Sequence, residues 1–400
     1  MDLDFMRPPN TGYPTAEYDR IRAEGKVVWN ETLKGWMVTT FEDIKKVLID
    51  PKSYGNEDTA IKDAFGAEAM LFQDSQIHDR LRAVWIGHLM PKSIEARGDL
   101  LRSLTDALLK PVIARLRGGA TVDLVPVFQD YTTDAITTFM DVPSERREDF
   151  QRWNKVLSES SQLVIRKEDP RFALRENTKL EVFDFLNAQV DQRRGRLARG
   201  EQLSDLVSLM VSAEGRGGIT RSMVSDNLLN LFIGALDTTV RWMGNIVVVL
   251  HGYPEVMKEV IADRSLMFKA FEEVMRFESV VQVNTRRVLT ETSEIGGQRF
   301  PKGQEIFVLQ GLGNRDPEAF EAPDIFDIHR PAKSHLGFGF GMHQCLGMHL
   351  ARGETAAFFN RFFDLMPALD IVEADYGPKW ALWGPLKLLV RASTSTKFAH

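Results

Sequence analysis

The single cysteine of this chain, Cys345, lies in the run Phe338-Gly-Phe-Gly-Met-His-Gln-Cys-Leu-Gly347. One thiol can form no internal disulfide and cannot furnish the several ligands of a structural zinc site. Taken alone it reads as a small buried hydrophobe. Its surroundings argue otherwise. Gly339, Gly341 and Gly347 carry no Cβ, so the backbone can turn sharply and approach a flat ligand closely. An apolar helical pattern begins just beyond, and a helix N-terminus offers orphan amides and partial positive charge that stabilise a thiolate and lower its pKa. The expected chemistry is thiolate ligation of a large planar metal cofactor.

Three other constellations carry polar groups. Gly234-Ala-Leu-Asp237-Thr238-Thr239 stands among Leu228, Leu229, Leu231, Phe232, Ile233, Val240 and Trp242. A helix apolar on nearly all sides is buried, and a polar pair inside it needs a partner or a role. Glu273 and Arg276 are three apart, His78 and Arg82 four apart, so each pair shares a helical face. By spacing alone, the first fits a surface ion pair worth well under ~1 kcal/mol, and the second a solvated basic face.

Together, and in this order, the motifs resemble the cytochrome P-450 superfamily of haem-thiolate monooxygenases. That family's ligand pattern is Phe-Gly-x-Gly-x-His-x-Cys-x-Gly, and Phe338, Gly339, Gly341, His343, Cys345 and Gly347 fill each fixed position. The resemblance covers nearly the whole chain. It implies haem b (iron protoporphyrin IX) with Cys345 as axial ligand of the metal. The implied cofactor contacts are His78, Arg82, Arg287, Phe338, Gly339, His343 and Gly347, with His78, Arg82, Arg287 and His343 serving the propionates. Asp237 and Thr238 become the acid–alcohol pair that relays protons to bound oxygen. Thr238 is expected to bond back toward Gly234 and open the helix there. Ala235 departs from the pattern, where glycine is common, and trims space above the haem. Glu273, Arg276 and Arg330 resemble a structural triad that locks residues 314–334 behind the cofactor.

The activity implied is insertion of one oxygen atom of dioxygen into an organic substrate, the thiolate favouring O–O cleavage. Electrons are expected from a separate ferredoxin and ferredoxin reductase, with Arg82 and Arg352 on a basic docking face. The substrate pocket implied by family position draws on Phe72, Asn230, Ile233, Gly234, Val283, Leu382 and Trp383. This mostly apolar set suits a compact hydrophobic substrate, such as a terpenoid or aromatic, with one polar group opposite Asn230. The rival readings are a peroxide-driven or non-oxygenating haem-thiolate enzyme, and a non-catalytic haem sensor. Neither of these needs the Asp237-Thr238 relay.

The elements that must position these groups are mostly helices. Helical spacing is read over Thr15 to Glu24, Phe41 to Ile49, much of the chain from His78, Ser222 to Leu250, Phe268 to Phe277, and past Cys345. Breaks fall near Gly118-Gly119, Asp169-Pro170 and 215–218. Strand-like runs occupy Lys26 to Trp29, Gly35 to Thr40, the stretch from Arg287 to Leu309, and Leu386 to Val390. Residues 52–76 and 314–334 read as irregular. The expectation is one mainly α domain over residues 1–400, with a small β portion built from both ends, in the P-450 fold: a triangular helical prism. The haem lies between the long oxygen-side helix and the helix after the cysteine loop. At 400 residues, with 44% hydrophobic content and 26% charged, the chain can bury a core large enough to enclose a cofactor. A net charge of −6 argues against nucleic acid as partner. The acidic, proline-containing start is unlike a signal peptide, and the best apolar candidate, Ile246 to Leu250, falls far short of the ~20 residues that span a bilayer. A cytoplasmic protein with no membrane partner is expected.

Overall fold

Apolar spacing and capping chemistry set the helices. The computed structural model describes residues 13–56, 62–161, 170–291, 293–331, 333–377 and 381–393. Thr15–Glu24 and Phe41–Ile49 are helical with the expected bounds. The second is capped by Thr40, whose side chain accepts from the Asp43 amide. The helix expected from His78 starts at Gln76 and runs to Ile86. The break at Asp169 lies at residues 162–169, outside the described residues, and a long helix, Pro170–Ala198, follows.

The longest helix, Arg221–Gly252, starts at a Thr220 cap and ends where Tyr253 precedes Pro254. By length and composition it could cross a bilayer, against the expectation that no segment could, yet most of its apolar stretch is buried inside the protein. It threads two cores in turn. Its first half (Val224, Leu228, Leu229, Phe232, Ile233, Leu236) packs with Trp153, Phe150 and Phe185. Its second half (Val240, Trp242, Met243, Ile246, Leu250) packs with Phe128, Phe271 and the Phe358, Phe359, Phe362 and Phe363 face of Met348–Leu365. The changeover falls at Asp237-Thr238-Thr239.

Ten short strands are found among the described residues. They are β1 (Val27–Asn30), β2 (Gly35–Val38), β3 (Tyr54–Gly55), β4 (Val122–Asp123), β5 (Asn284–Val288), β6 (Ser293–Ile295), β7 (Gln298–Phe300), β8 (Glu305–Val308), β9 (Leu369–Asp375) and β10 (Lys387–Ala392). One sheet runs β1-β2-β8-β5-β3 and joins the two ends of the chain, with β2 and β8 parallel. A second runs β4-β10-β9, so β4 places one strand mid-chain, where none was expected. Two residues were too few to show a period. The hairpin β6-β7 turns on Gly296 and Gly297, both at positive φ, as a two-residue turn of the right-handed twist requires.

The triad expected behind the irregular segment is assembled. Arg276 grips Glu273 in two bonds (Nη2–Oε1 2.7 Å, Nε–Oε2 2.8 Å) and donates to the Asn314 and Pro323 carbonyls. Arg330 Nε reaches Glu273 at 3.3 Å and its other nitrogens bind the carbonyls of Glu321, Ala322 and Ile325. The pair is 2% and 7% exposed, far from the surface ion pair that spacing alone allowed. Removing one partner strands a buried charge. Arg276→Leu is expected to cost about 3–5 kcal/mol in urea unfolding, against under ~1 kcal/mol for Lys258→Leu at the exposed Glu255 pair. Equal losses would contradict this account.

Candidate active site

The cysteine loop is built by two short 3-10 turns, Leu336–Phe338 and Gly341–His343, and is closed when the Cys345 amide donates to the Phe338 carbonyl (2.9 Å). Gly341 has φ +73°, and a Cβ there would sit 2.5 Å from the Leu48 carbonyl oxygen. Its glycine is needed for chain packing against Phe41–Ile49, not for ligand approach as the sequence suggested. Gly347, at an ordinary φ of −84°, caps Met348–Leu365. Burial pushes the Cys345 thiol up, with the amides of Gly347 and Met348 and the charges of Arg82 and Arg352 working against it. The lowered value expected from the helix end alone is therefore not reached in the protein by itself. A cation bound at the sulfur would supply what is missing. Phe338 packs edge-on to Trp242 (5.6 Å) and beneath the Arg352 guanidinium (4.8 Å).

Opposite this loop, across a cavity of about 330 Å³, stands the middle of the long helix. Asn230, Leu231, Gly234, Ala235, Thr238 and Thr239 line the space from that side. Thr238 Oγ1 donates to the Gly234 carbonyl at 3.0 Å, the back-bond expected from sequence. The expected opening does not interrupt the helix, which runs unbroken from Arg221 to Gly252. Gly234 is exposed though mid-helix, and a Cβ on it would meet nothing within 4 Å, so space is present at that point. Asp237 does not line the cavity. Its Oδ2 accepts from Arg241 Nε at 2.9 Å, and Arg241 Nη1 donates to the Leu382 and Gly384 carbonyls at 3.1 and 3.3 Å.

One rim is cationic. His78, Arg82, Arg286 and His343 line it, with the His78 and His343 rings 4.9 Å apart. Arg82 donates to the Gln344 carbonyl at 2.9 Å, and burial lowers its pKa. Arg287, the expected fourth member, is not there. In β5 it pairs with Glu305 and donates to the Gly303 carbonyl on the other face of the strand. A one-residue step reverses the face, so Arg286, 5% exposed, takes the place assigned to Arg287. Burial pushes the Arg286 pKa down to about 10, with Asp74 opposing. Asp74 is a further group that the sequence reading missed. It accepts from His343 Nε2 at 2.7 Å and from the Asn56 amide. Its position four residues before His78 was the available signal.

The expected substrate pocket is only partly assembled. Asn230 and Gly234 line the cavity, but Phe72, Ile233, Val283, Leu382 and Trp383 do not. Phe72 and Ile233 are buried core. Trp383 stacks on Tyr376 (4.5 Å) and donates to Glu278, with Val283 packed against that same cluster. Leu382 bridges Val281 and offers its carbonyl to Arg241. Met70, Leu71, Val280 and Val281 line the wall instead. Glu354 was also missed: it is buried, lines the cavity, and burial raises its pKa well above the usual carboxyl value. Arg352 is not a loose docking cation. It binds Glu272 (Nε–Oε1 3.0 Å), which also meets His335, and both partners hold the Glu272 carboxyl below its usual range against the effect of burial.

These residues fit an iron porphyrin. A soft ligand faces an apolar slot, two arginines and two histidines stand ready for two carboxylates, and Arg286 is a cation so buried that an anion beside it is favourable. Residues 28–364 match the family described as Cytochrome P450. The chain is 29% identical over 364 residues to cytochrome P450 107B1 of Saccharopolyspora erythraea (87% of this chain, 86% of that protein). It is 28% identical over 394 residues to the cytochrome P450 monooxygenase PikC of Streptomyces venezuelae (96% and 89%). The solved structure of P450BioI in complex with hexadec-9Z-enoic acid ligated acyl carrier protein superposes with a TM-score of 0.85 at 26% identity, covering 95% of this chain and 98% of that one.

The rim assignment separates two neighbouring arginines. Arg286→Leu is expected to purify with at least ~10-fold less haem, the loss of charge-assisted bonds each worth about 1.5–3 kcal/mol. Arg287→Leu should retain it. Absorbance at the Soret band per protein decides, and the reverse order would restore the assignment read from sequence.

Proposed function

The chain belongs to the cytochrome P450 family, and on that premise we propose that it hydroxylates a compact hydrophobic substrate with electrons from a ferredoxin and its reductase. The family makes it a haem b enzyme that incorporates oxygen into its substrate and takes electrons from a redox partner. The whole chain, 1–400, acts as one domain, in the cytoplasm. The observation that carries the reading is the pairing across one cavity: the Cys345 loop on one side and Thr238, bonded to Gly234, on the other.

Bound at Cys345, haem b supplies dioxygen binding and reductive cleavage of the O–O bond. The balance is R–H + O₂ + 2e⁻ + 2H⁺ → R–OH + H₂O. His78, Arg82, Arg286 and His343 would hold the haem carboxylates, with Phe338 packed beside the cysteine loop against Trp242. Thr238 keeps its hydroxyl proton on the Gly234 carbonyl and turns its lone pairs to the cavity, where they accept from a water. Asp237 stands behind it on the far side of the helix. There Arg241 Nε holds the carboxylate at 2.9 Å, facing the route by which protons arrive from outside the cavity. The substrate rests on Met70, Leu71, Val280 and Val281, which exclude water from the reacting carbon.

Two variants test the relay with terpenoid or aromatic compounds chosen by a spectral binding screen. Thr238→Ala should keep electron uptake but release most of it as hydrogen peroxide, with product per NADPH falling about 10-fold. Asp237→Asn should slow turnover on the order of 10²-fold and raise the solvent isotope effect. Unchanged coupling in the first and unchanged rate in the second would remove the relay. Efficient product formation from peroxide alone would favour a peroxide-driven enzyme instead. At the sulfur, Cys345→Ala should abolish the red-shifted Soret band of the reduced carbon monoxide complex.

A further inference from the structure

The cavity wall beyond the relay holds one amide with nothing to bind. Three other amide side chains on the wall are committed. Asn56 donates to the Leu71 carbonyl (2.6 Å), Asn284 donates to Gln310, and Gln310 donates to the Leu336 carbonyl (2.7 Å). Asn230 makes no hydrogen bond among the described residues, yet lines the cavity. Leu231 and Ala235 of the same helix line the cavity with it, as do Met70 and Leu71. The Met70 amide donates to Asn227 Oδ1 at 2.9 Å, which fixes the 70–72 turn against the helix at this level. The remaining polar lining groups without a partner are elsewhere: Gln344 is on the cysteine loop, and Thr239 and Glu354 lie past the relay.

Charge is segregated as well. The basic side chains on the wall are Arg82, Arg286, His78 and His343, all on the one rim with Asp74; burial lowers the His343 pKa, so the arginines carry the charge there. None of the described lining residues beside Asn230 is charged. A carboxylate placed there would lose its hydration without a counter-ion. A hydroxyl, ketone or amide would gain a bond from a group that both donates and accepts.

We propose that Asn230 is the polar anchor of the substrate, which is a neutral hydrophobic molecule bearing a hydroxyl, ketone or amide. This rests on the oxygenase reading above and adds a distance to it. Four residues separate Asn230 from Gly234 and eight separate it from Thr238, about 6 and 12 Å along a helix that rises ~1.5 Å per residue. The anchored group is therefore held about two helical turns from Thr238, and oxidation is directed to the part of the molecule away from that group.

The test uses haem-loaded wild type, Asn230→Leu and Asn230→Asp, with cyclododecanone, cyclododecane and cyclododecanecarboxylic acid as probes. Calorimetry should give cyclododecanone about 10-fold weaker binding to Asn230→Leu than to wild type, with cyclododecane unchanged or tighter. The carboxylic acid should bind wild type more weakly than the ketone, and weaker still in Asn230→Asp. Wild type should oxidise cyclododecanone on the carbons across the ring from the ketone, and Asn230→Leu should spread oxidation around it. Equal responses of ketone and hydrocarbon to Asn230→Leu, or tighter binding of the acid, would overturn the anchor. If binding follows the anchor while no probe is oxygenated in any variant, the anchor stands and the oxygenase reading falls.

Discussion

The long helix has to be apolar enough to cross two cores and polar enough to serve a reaction between them. It does this by changing partners at Asp237-Thr238-Thr239, where the Trp153 core ends and the Phe358 core begins. Only at such a seam can a hydroxyl and a carboxylate sit mid-helix without stranding a polar group. Thr238 finds the carbonyl one turn back, and Asp237 finds Arg241 one turn forward. The space that the two cores leave open is the space the cysteine loop closes from the other side.

The cationic rim follows a different logic. It is assembled from sequence-distant pieces: Gln76–Ile86, β5 and the cysteine loop. Asp74 ties them together by accepting from His343 and from the Asn56 amide, with Arg286 beside it. A carboxylate beside Arg286 offsets the charge that this buried arginine would otherwise carry unpaired before any anionic ligand arrives. The rim can therefore be held in place by the protein itself.

What the sequence disclosed was local. The cysteine run, the Thr238 back-bond and the Glu273–Arg276 pair are each set within a few residues and are found where their spacing places them, but the burial of that pair was not in its spacing. The errors came where a face or a long-range neighbour decides. Arg286 and Arg287 are adjacent and identical, and only the pairing of β5 with β8 says which points inward. Phe72, Ile233 and Trp383 are apolar residues near the right places, and nothing in their type distinguishes core from cavity wall. The two-residue β4 owes its existence to β10 and not to any pattern of its own.

The Arg241 clamp constrains the history of this chain as much as its chemistry. Gly384 presses so closely that a Cβ there would lie 2.4 Å from the Arg241 Cβ, and its carbonyl accepts from the same guanidinium. Substituting Gly384 first would collide with Arg241. Substituting Arg241 first would leave the buried Asp237 without its cation. The atoms that a Cβ at 384 would meet are the Cβ, Cα and carbonyl oxygen of residue 241, which a change of side chain there does not remove, so position 384 stays glycine whatever stands at 241, and the two constraints act separately on one clamp.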